Sequence, residues 1–424
     1  MSARAPKLVK GSIMRVLHCI AQLPTRTGSG VYYRNLIREI GEQTDWEQAG
    51  VYALNADQNN EFPIPGGEFP VIFETTTLPF PIAGMSDQMP YRHTIYHSMT
   101  EEMMNKWKKA FREELLRAKE TFRPDVVMVH HLWILASLVL EVFPDTPVFG
   151  ISHGTDIRQA KQHPHLLKEH VHGLQALQEV FALSVFDKAD LLKLYPLGDD
   201  QVTVTGGAYD PSVFYPKKKL DKRVPVRLVY AGKIVESKGV PELLEAYTRA
   251  RGSDSSMTLD LIGRCDESLY DEVRSFLEKD PSIRLYDVAS QVELAEVLRS
   301  SDLFVFPSYF EGLGLIALEA LACGLHLVSN RLPGLSAQLG STLGSHPVIR
   351  FVDLPPLHGL DSIREEARED YVESLAEAIS QQVMLIRTKE TEHPYDLIKE
   401  NSWKGLSRVI IDHIKRMNHD TICR

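Results

Sequence analysis

The sequence predicts an α/β protein of two domains. Three observations carry this. Short apolar runs alternate with helical patterns along most of the chain. Those runs are continuous rather than alternating, as in parallel strands covered on both faces. A Gly-, Pro- and charge-rich break falls over residues 206–225, and strand–helix alternation restarts at Arg227. At about 150 residues per domain, 424 residues have room for two or three.

Strand Arg15–Ile20 opens the chain and leads through a Gly-containing loop to helix Val31–Glu42. Residues 55–100, rich in Pro, Thr and Met, show no period and receive no assignment. Helix Glu101–Thr121 follows from Met104, Trp107, Phe111 and Leu115, which fall on one face at helical spacing. Strands Asp125–Val129, Pro147–Ser152, Phe181–Leu183 and Val202–Thr205, with helix Ala189–Leu194, complete the first half. GGAYDPSVFYPKKKLDKRVP then reads as a linker, because Gly, Pro and charge replace periodicity. Beyond it come strands Arg227–Ala231, Thr258–Ile262, Ile283–Tyr286, Leu303–Phe306 and His326–Ser329. Between and after them lie helices Pro241–Arg251, Leu269–Glu278, Gln291–Ser300, Leu315–Ala322 and Glu373–Arg387. Two units of similar size result, 1–215 and 216–402, with ligands expected in a cleft between them.

Composition excludes several classes. Hydrophobic residues make up 43% and charged residues 25%, as in an ordered soluble protein. Lys plus Arg number 47 against 57 Asp plus Glu, a net charge of −10, so no global basic field favours nucleic acid. The richest apolar window, Leu132 to Phe143, carries Ser137 and Glu141 and falls short of the ~18 apolar residues of a transmembrane helix. Arg4, Lys7 and Lys10 precede a segment holding Arg15 and His18, which reads as a leader before a first strand, not a secretory signal. Cys19, Cys265, Cys323 and Cys423 form no Cys-x-x-Cys pair. They suit a reducing cytoplasmic location and neither zinc nor a disulfide framework.

Four segments can carry chemistry. In TGSG, Gly28 and Gly30 lie between a strand and a helix N-terminus, where close backbone approach and the helix dipole suit phosphate. Alone, the segment fits a ligand-free turn equally well. His153-Gly154-Thr155-Asp156 follows a parallel strand, so His153 points toward the ligand crevice. Its imidazole can bond a sugar hydroxyl or assist proton movement, and Asp156 can fix its tautomer or cap the next helix. In YAGKIVESKG, Lys233, Glu236 and Lys238 follow a strand end, where two ammonium groups can neutralise a diphosphate. Most such clusters are solvated loops.

The fourth segment, PSYFEGLGLIALEALACG, is decisive. Glu311 lies in the loop after a strand, and Glu319 lies about a turn into the following helix. Gly312 and Gly314 free backbone amides beside that helix N-terminus. One loop can thus meet a sugar through Glu311, a pyrophosphate through its amides and a ribose through Glu319. A carboxylate within LGLIALEALACG is costly without such partners.

With these motifs in place, the chain resembles the GT-B-fold retaining glycosyltransferases of family 4, also called glycosyl transferases group 1, from Arg15 to about Arg416. Matching positions are TGSG, His153–Asp156, Asp210 with Phe214 and Pro216, Gly232–Lys233 with Lys238–Gly239, Glu311 to Glu319, and Ser402-Trp403. The resemblance implies two Rossmann-like domains, the first binding the acceptor and the second a nucleotide-diphosphate sugar. A last helix, 403–417, would cross back onto the first domain. It assigns the donor diphosphate to Lys233 and Lys238, with Glu236 positioning Lys233 or a hydroxyl. It assigns the transferred sugar to Glu311 and His153, and the ribose to Glu319. The pyrophosphate would meet the amides of Leu313, Gly314 and Leu315, with Gly312 also on the donor side and Gly30 on the donor phosphates. His153, Lys233, Lys238 and Glu311 form the implied catalytic set; Gly28, His130 and Asp156 stand on the acceptor side. Two departures bear on donor preference. Lys233 replaces a frequent Arg, and Gly207-Ala208 replaces a usual Asn-Gly.

The sequence contains no Asp-x-Asp, the motif by which metal-dependent transferases hold a divalent ion on the diphosphate. No metal and no other cofactor is expected. Retention would then proceed with the departing diphosphate stabilised by lysines. An NDP-sugar epimerase, a phosphorylase or a non-catalytic nucleotide-sugar-binding protein are the alternatives, separated by the products each forms. His163, His165, His170 and His172 lack an i,i+4 pair and read as a polar loop and helix rather than a metal site. The apolar face of Glu101–Thr121 reads as core, with peripheral docking at the inner membrane face as the alternative. Acceptor identity is assigned to no residue.

Overall fold

Runs of buried apolar residues set the centre of each sheet. The computed structural model describes residues 13–422 except 26, 87–88, 217–224, 253, 255 and 360–361. The leader with Arg4, Lys7 and Lys10, the basic part of the linker and Cys423 lie outside the described residues. The first sheet contains β1 (Arg15–Cys19), β2 (Glu47–Asn55), β3 (Glu68–Phe73), β4 (Val126–His130), β5 (Val148–Ile151), β6 (Glu179–Ala182) and β7 (Val202–Val204). Its order is β3-β2-β1-β4-β5-β6-β7, with every neighbouring pair parallel. The second contains β8 (Val226–Ala231), β9 (Met257–Ile262), β10 (Ile283–Tyr286), β11 (Leu303–Phe306), β12 (His326–Asn330) and β13 (Ile349–Val352). It is also parallel, in the order β10-β9-β8-β11-β12-β13.

In each sheet the strand order reverses beside the first strand, between β1 and β4 and between β8 and β11. Loops leaving the carboxyl ends at such a reversal splay apart and leave a crevice. The TGSG loop and the His130–Trp133 turn leave one reversal; the Lys233–Lys238 and Pro307–Gly314 loops leave the other. Topology therefore brings the sequence motifs of each half to one end of one sheet.

Three strands of the two large sheets escaped the sequence pattern. β2 holds Gln48, Gly50 and Asn55. Gln48 is buried because it bonds His18 Nε2 (3.0 Å) and donates to Ile37 O (2.9 Å). Gly50 is needed because a Cβ there would meet Tyr33 Oη at 2.2 Å. β3 carries Pro70, tolerated because the strand lies at an edge. β13 is a short opposite edge of the second sheet. The apolar window 132–143 becomes the buried helix Ile134–Val142, too short to cross a membrane.

Helix Glu101–Thr121 is capped by Thr100, whose side chain accepts from Met103 N–H (3.2 Å). Met104, Trp107, Phe111 and Leu115 are buried in the first core, so the face considered for membrane docking is occupied by protein. Among the described residues no helix is long and apolar enough to cross a membrane.

Contacts divide the chain into two units, one running to Gly206 and resuming at Leu406, the other Gly207–Gly405. Residues 207–215, expected at the end of the first domain, pack in the second. Gly207 N–H donates to Gln338 Oε1 (2.8 Å), Tyr209 N–H to Asn401 O (3.2 Å), and Phe214 is buried. The final helix, Trp403–Ile422, joins the first unit from Leu406 onward. There Gln43 Nε2 donates to Ser407 Oγ (2.7 Å) and His413 Nδ1 lies 2.9 Å from Glu179 Oε2. Ile410 and Ile414 are fully buried. Ile410→Ala is expected to cost about 2–5 kcal/mol, read as a lower urea midpoint; an unchanged midpoint would show that this helix does not complete the first core.

Candidate functional site

The second unit's site begins with backbone contact. Gly263, which follows β9 at φ 138°, lies so close to the turn after β8 that a Cβ would stand 2.0 Å from Gly232 O. Gly239, at φ 65°, lies equally close to the loop after β11, where a Cβ would stand 2.3 Å from Pro307 O. Tyr309 N–H donates to Ser237 O (3.1 Å), and Tyr230 Oη donates to Lys233 O (2.7 Å). Three strand ends thereby enclose a cavity of about 820 Å³, lined by Gly232, Lys233, Lys238, Gly263, Arg264, Cys265, Asp287, Glu311 and Ile316 among others.

Lys238 and Glu311, 73 positions apart in sequence, form its charged edge. Lys238 Nζ lies 2.6 Å from Glu311 Oε1, with the side chains 25% and 24% exposed. Ser308 Oγ adds a bond to the same oxygen (3.3 Å). Lys233 is exposed on the cavity wall, and no described carboxylate forms a salt bridge with it. Glu236 is exposed in the short turn Glu236–Lys238, outside the cavity lining.

Helix Leu315–Ala322 begins at Gly314 (φ 67°) with no side-chain cap, so its first N–H groups and dipole are available to an anion. Gly312 is exposed. Leu313 and Leu315 pack over Gly207: a Cβ there would meet Leu315 Cδ2 at 2.6 Å and Leu313 Cδ1 at 2.9 Å. The unusual Gly207 thus has a local cause. Glu319 stands three residues beyond the cavity-lining Ile316, on the same helical face. Burial pushes its carboxyl up to about 7.

The first unit holds Gly28, Gly30, His130, His153 and Asp156. Thr27 Oγ1 caps the helix by accepting from Gly30 N–H (3.0 Å), and a Cβ on Gly30 would meet three backbone atoms of Leu23 and Thr25 at 2.8 Å. Gly28 faces open space. His130 Nδ1 and His153 Nε2 share a hydrogen bond (3.0 Å) with their rings stacked. Tyr32 meets His153 edge-on at 5.0 Å, and His131, at φ 69°, lies 4.7 Å from it. Burial holds His130 and His153 well below the usual imidazole pKa, so both are neutral near pH 7.

One expected role changes. Asp156 does not set the His153 tautomer; its carboxylate accepts from Leu132 N–H (2.8 Å), Ser152 Oγ (3.0 Å) and His153 N–H (3.2 Å). Fully buried, it ties the turns after β4 and β5 together, and the ring partner is His130. Gly263, Arg264, Cys265 and Asp287 were absent from the expected set. The signal was present, since LIGRCD repeats the strand-then-glycine pattern of VYAGK. His163 stacks on His97 and His170 Nδ1 meets Lys108 Nζ (3.3 Å). Among the described residues no group of three or more His, Cys, Asp or Glu is placed to hold a metal ion.

Residues 225–344 match the family described as glycosyl transferases group 1. That match covers 120 of the 424 residues, including the second unit's first five strands. The chain's fold is GT-B. A glycogen synthase of Mycobacterium tuberculosis is 26% identical over 260 residues, which cover 59% of this chain and 61% of the synthase. The chain thus aligns with somewhat under two thirds of that relative's length. A sucrose-phosphate synthase from Thermosynechococcus elongatus superimposes with TM-score 0.60 at 14% identity, covering 95% of this chain and 99% of that one. HepE of Anabaena, solved in complex with UDP and glucose, superimposes with TM-score 0.53 at 12% identity, covering 95% and 99%. At such identities these structures establish the fold.

Gly263→Ala is expected to lower stability by about 1–3 kcal/mol through overpacking, with a further loss from the φ of 138°. A thermal melt at the wild-type midpoint would show that the β8 and β9 turns are not in forced contact.

Proposed function

We propose that the protein transfers a glycosyl group from a nucleoside-diphosphate sugar to an acceptor hydroxyl, with retention of anomeric configuration and without a metal ion. The observation that carries this is the cavity at the ends of β8, β9 and β11. It joins Lys233, the Lys238–Glu311 pair and the uncapped Leu315–Ala322 helix. The family match over residues 225–344 and the UDP and glucose held by HepE support the same reading.

In the proposed reaction the bond from the sugar's anomeric carbon to the β-phosphate oxygen breaks. A bond to the acceptor oxygen forms on the same face, and the acceptor's proton passes to the departing phosphate. Lys233, Lys238 and the helix N-terminus stabilise the charge that develops on the diphosphate, the role a metal ion plays elsewhere. The amides of Gly312, Leu313, Gly314 and Leu315 meet the pyrophosphate, and Glu311 meets the sugar hydroxyls. His153, kept neutral by burial and oriented by His130, is assigned to hydroxyl groups rather than to an anion.

Glu319 gives the sharpest test. Burial raises its carboxyl from the usual carboxylate range to about 7, so it is protonated below about pH 7 in the free protein. Accepting two ribose hydroxyls requires the carboxylate, so nucleotide binding must expel that proton. Calorimetric titration of UDP, GDP and ADP between pH 5.5 and 8.5 should find binding that weakens about tenfold per pH unit below about 7 relative to Glu319→Gln. Comparison with that variant cancels the titration of the phosphate itself. Parallel profiles would remove Glu319 from the ribose site. NMR of the product formed from the matching nucleotide sugar should show one new glycosidic bond of unchanged anomeric configuration.

A further inference from the structure

The loop bearing Glu311 is held from behind chiefly by Asn330, with Tyr371 Oη also donating to Pro307 O (3.5 Å). Asn330, at the carboxyl end of β12, donates from Nδ2 to Pro307 O (2.8 Å) and Ser308 O (3.1 Å). Because both carbonyls can only accept, its amide orientation is fixed, and Oδ1 faces the other way. There it accepts from Tyr371 Oη (2.8 Å), in helix Glu365–Thr388. Asn330 is 0% and Tyr371 4% exposed, so these bonds have no water to replace them.

The same helix also grips the other half of the charged edge. Arg368 Nε donates to Glu242 Oε1 (3.0 Å) and Nη2 to Glu245 Oε1 (2.7 Å). Both acids lie on helix Val240–Arg251, which starts at Gly239 directly after Lys238. Tyr309, whose N–H joins the two loops, packs its ring 6.2 Å from that of Tyr371. Neither Asn330 nor Tyr371 lines the donor cavity.

We propose that Tyr371, acting through Asn330, is a positioning residue that sets the Lys238–Glu311 edge of the donor cavity. This rests on the assignment of that cavity to a nucleoside diphosphate. Removing Oη leaves Asn330 Oδ1 buried without its partner. The amide is then free to turn, Pro307 O and Ser308 O lose their donor, and the Ser308–Glu311 segment loosens relative to Lys238.

Tyr371→Phe keeps the ring and its packing. In the ligand-free full chain, peptides covering 307–314 should take up deuterium roughly tenfold faster, while those covering β4 stay unchanged. Affinity for UDP, GDP or ADP, whichever binds wild type most tightly, should fall roughly tenfold. Asn330→Asp accepts from Tyr371 but no longer donates to the carbonyls, so it should reproduce both effects, and the double variant should be no worse than either single one. Ile379→Val, a fully buried change on the same helix, should lower Tm by a similar few degrees yet leave both readouts at wild type. Wild-type exchange over 307–314 in Tyr371→Phe, or equal changes in Ile379→Val, would overturn the proposal. If no diphosphate binds wild type, the donor assignment fails instead, and the exchange result still decides the positioning role.

Discussion

The loops after β8 and β11 touch backbone to backbone, and the second unit's chemistry depends on that contact. A side chain at Gly239 would occupy the position of Pro307 O, and one at Gly263 that of Gly232 O. With both absent, three strand ends close to the distance at which Lys238 reaches Glu311 at 2.6 Å. A half-buried pair at this separation lowers the cost of holding either charge away from water. It also leaves Lys233 on the cavity wall as a cation that no described carboxylate bridges. Strand order supplies the other condition, because the reversal between β8 and β11 is what sends these loops apart around a crevice.

The first unit repeats the strategy with different chemistry. Gly30 presses on the backbone of Leu23 and Thr25, and Gly50 makes room for the Tyr33 hydroxyl. The polar groups collected at the carboxyl ends of β4 and β5 are neutral histidines, because burial penalises their charged forms. One unit therefore presents fixed charges and an open helix end suited to phosphate, and the other presents uncharged ring nitrogens suited to hydroxyls. The proposed division between donor and acceptor roles follows from that contrast in electrostatics.

Much of this was legible in the sequence where the signal is local. Apolar runs located both sheet centres, helix Gln291–Ser300 and helix Leu315–Ala322 have the expected bounds, and the Glu311 to Glu319 spacing marked the loop and helix of the site. What escaped was set by partners distant in the chain. β2 breaks its apolar pattern with Gln48 and Gly50, explained by His18, Ile37, Tyr33 and Ile64, all distant from them in the chain. The His130–His153 bond joins two turns, and so Asp156 looked like the ring partner when it serves the backbone. Tyr371 and Asn330 carry no motif at all; their importance is visible only once the helix, β12 and the loop meet.

The measurement that bears most directly on this account is a crystal structure of the full chain with the nucleoside diphosphate that binds it. The diphosphate should lie at the first turn of Leu315–Ala322 within hydrogen-bond reach of Lys233 Nζ, with the ribose hydroxyls on Glu319. A nucleotide bound elsewhere, with Lys233 and Glu319 both uncontacted, would contradict it.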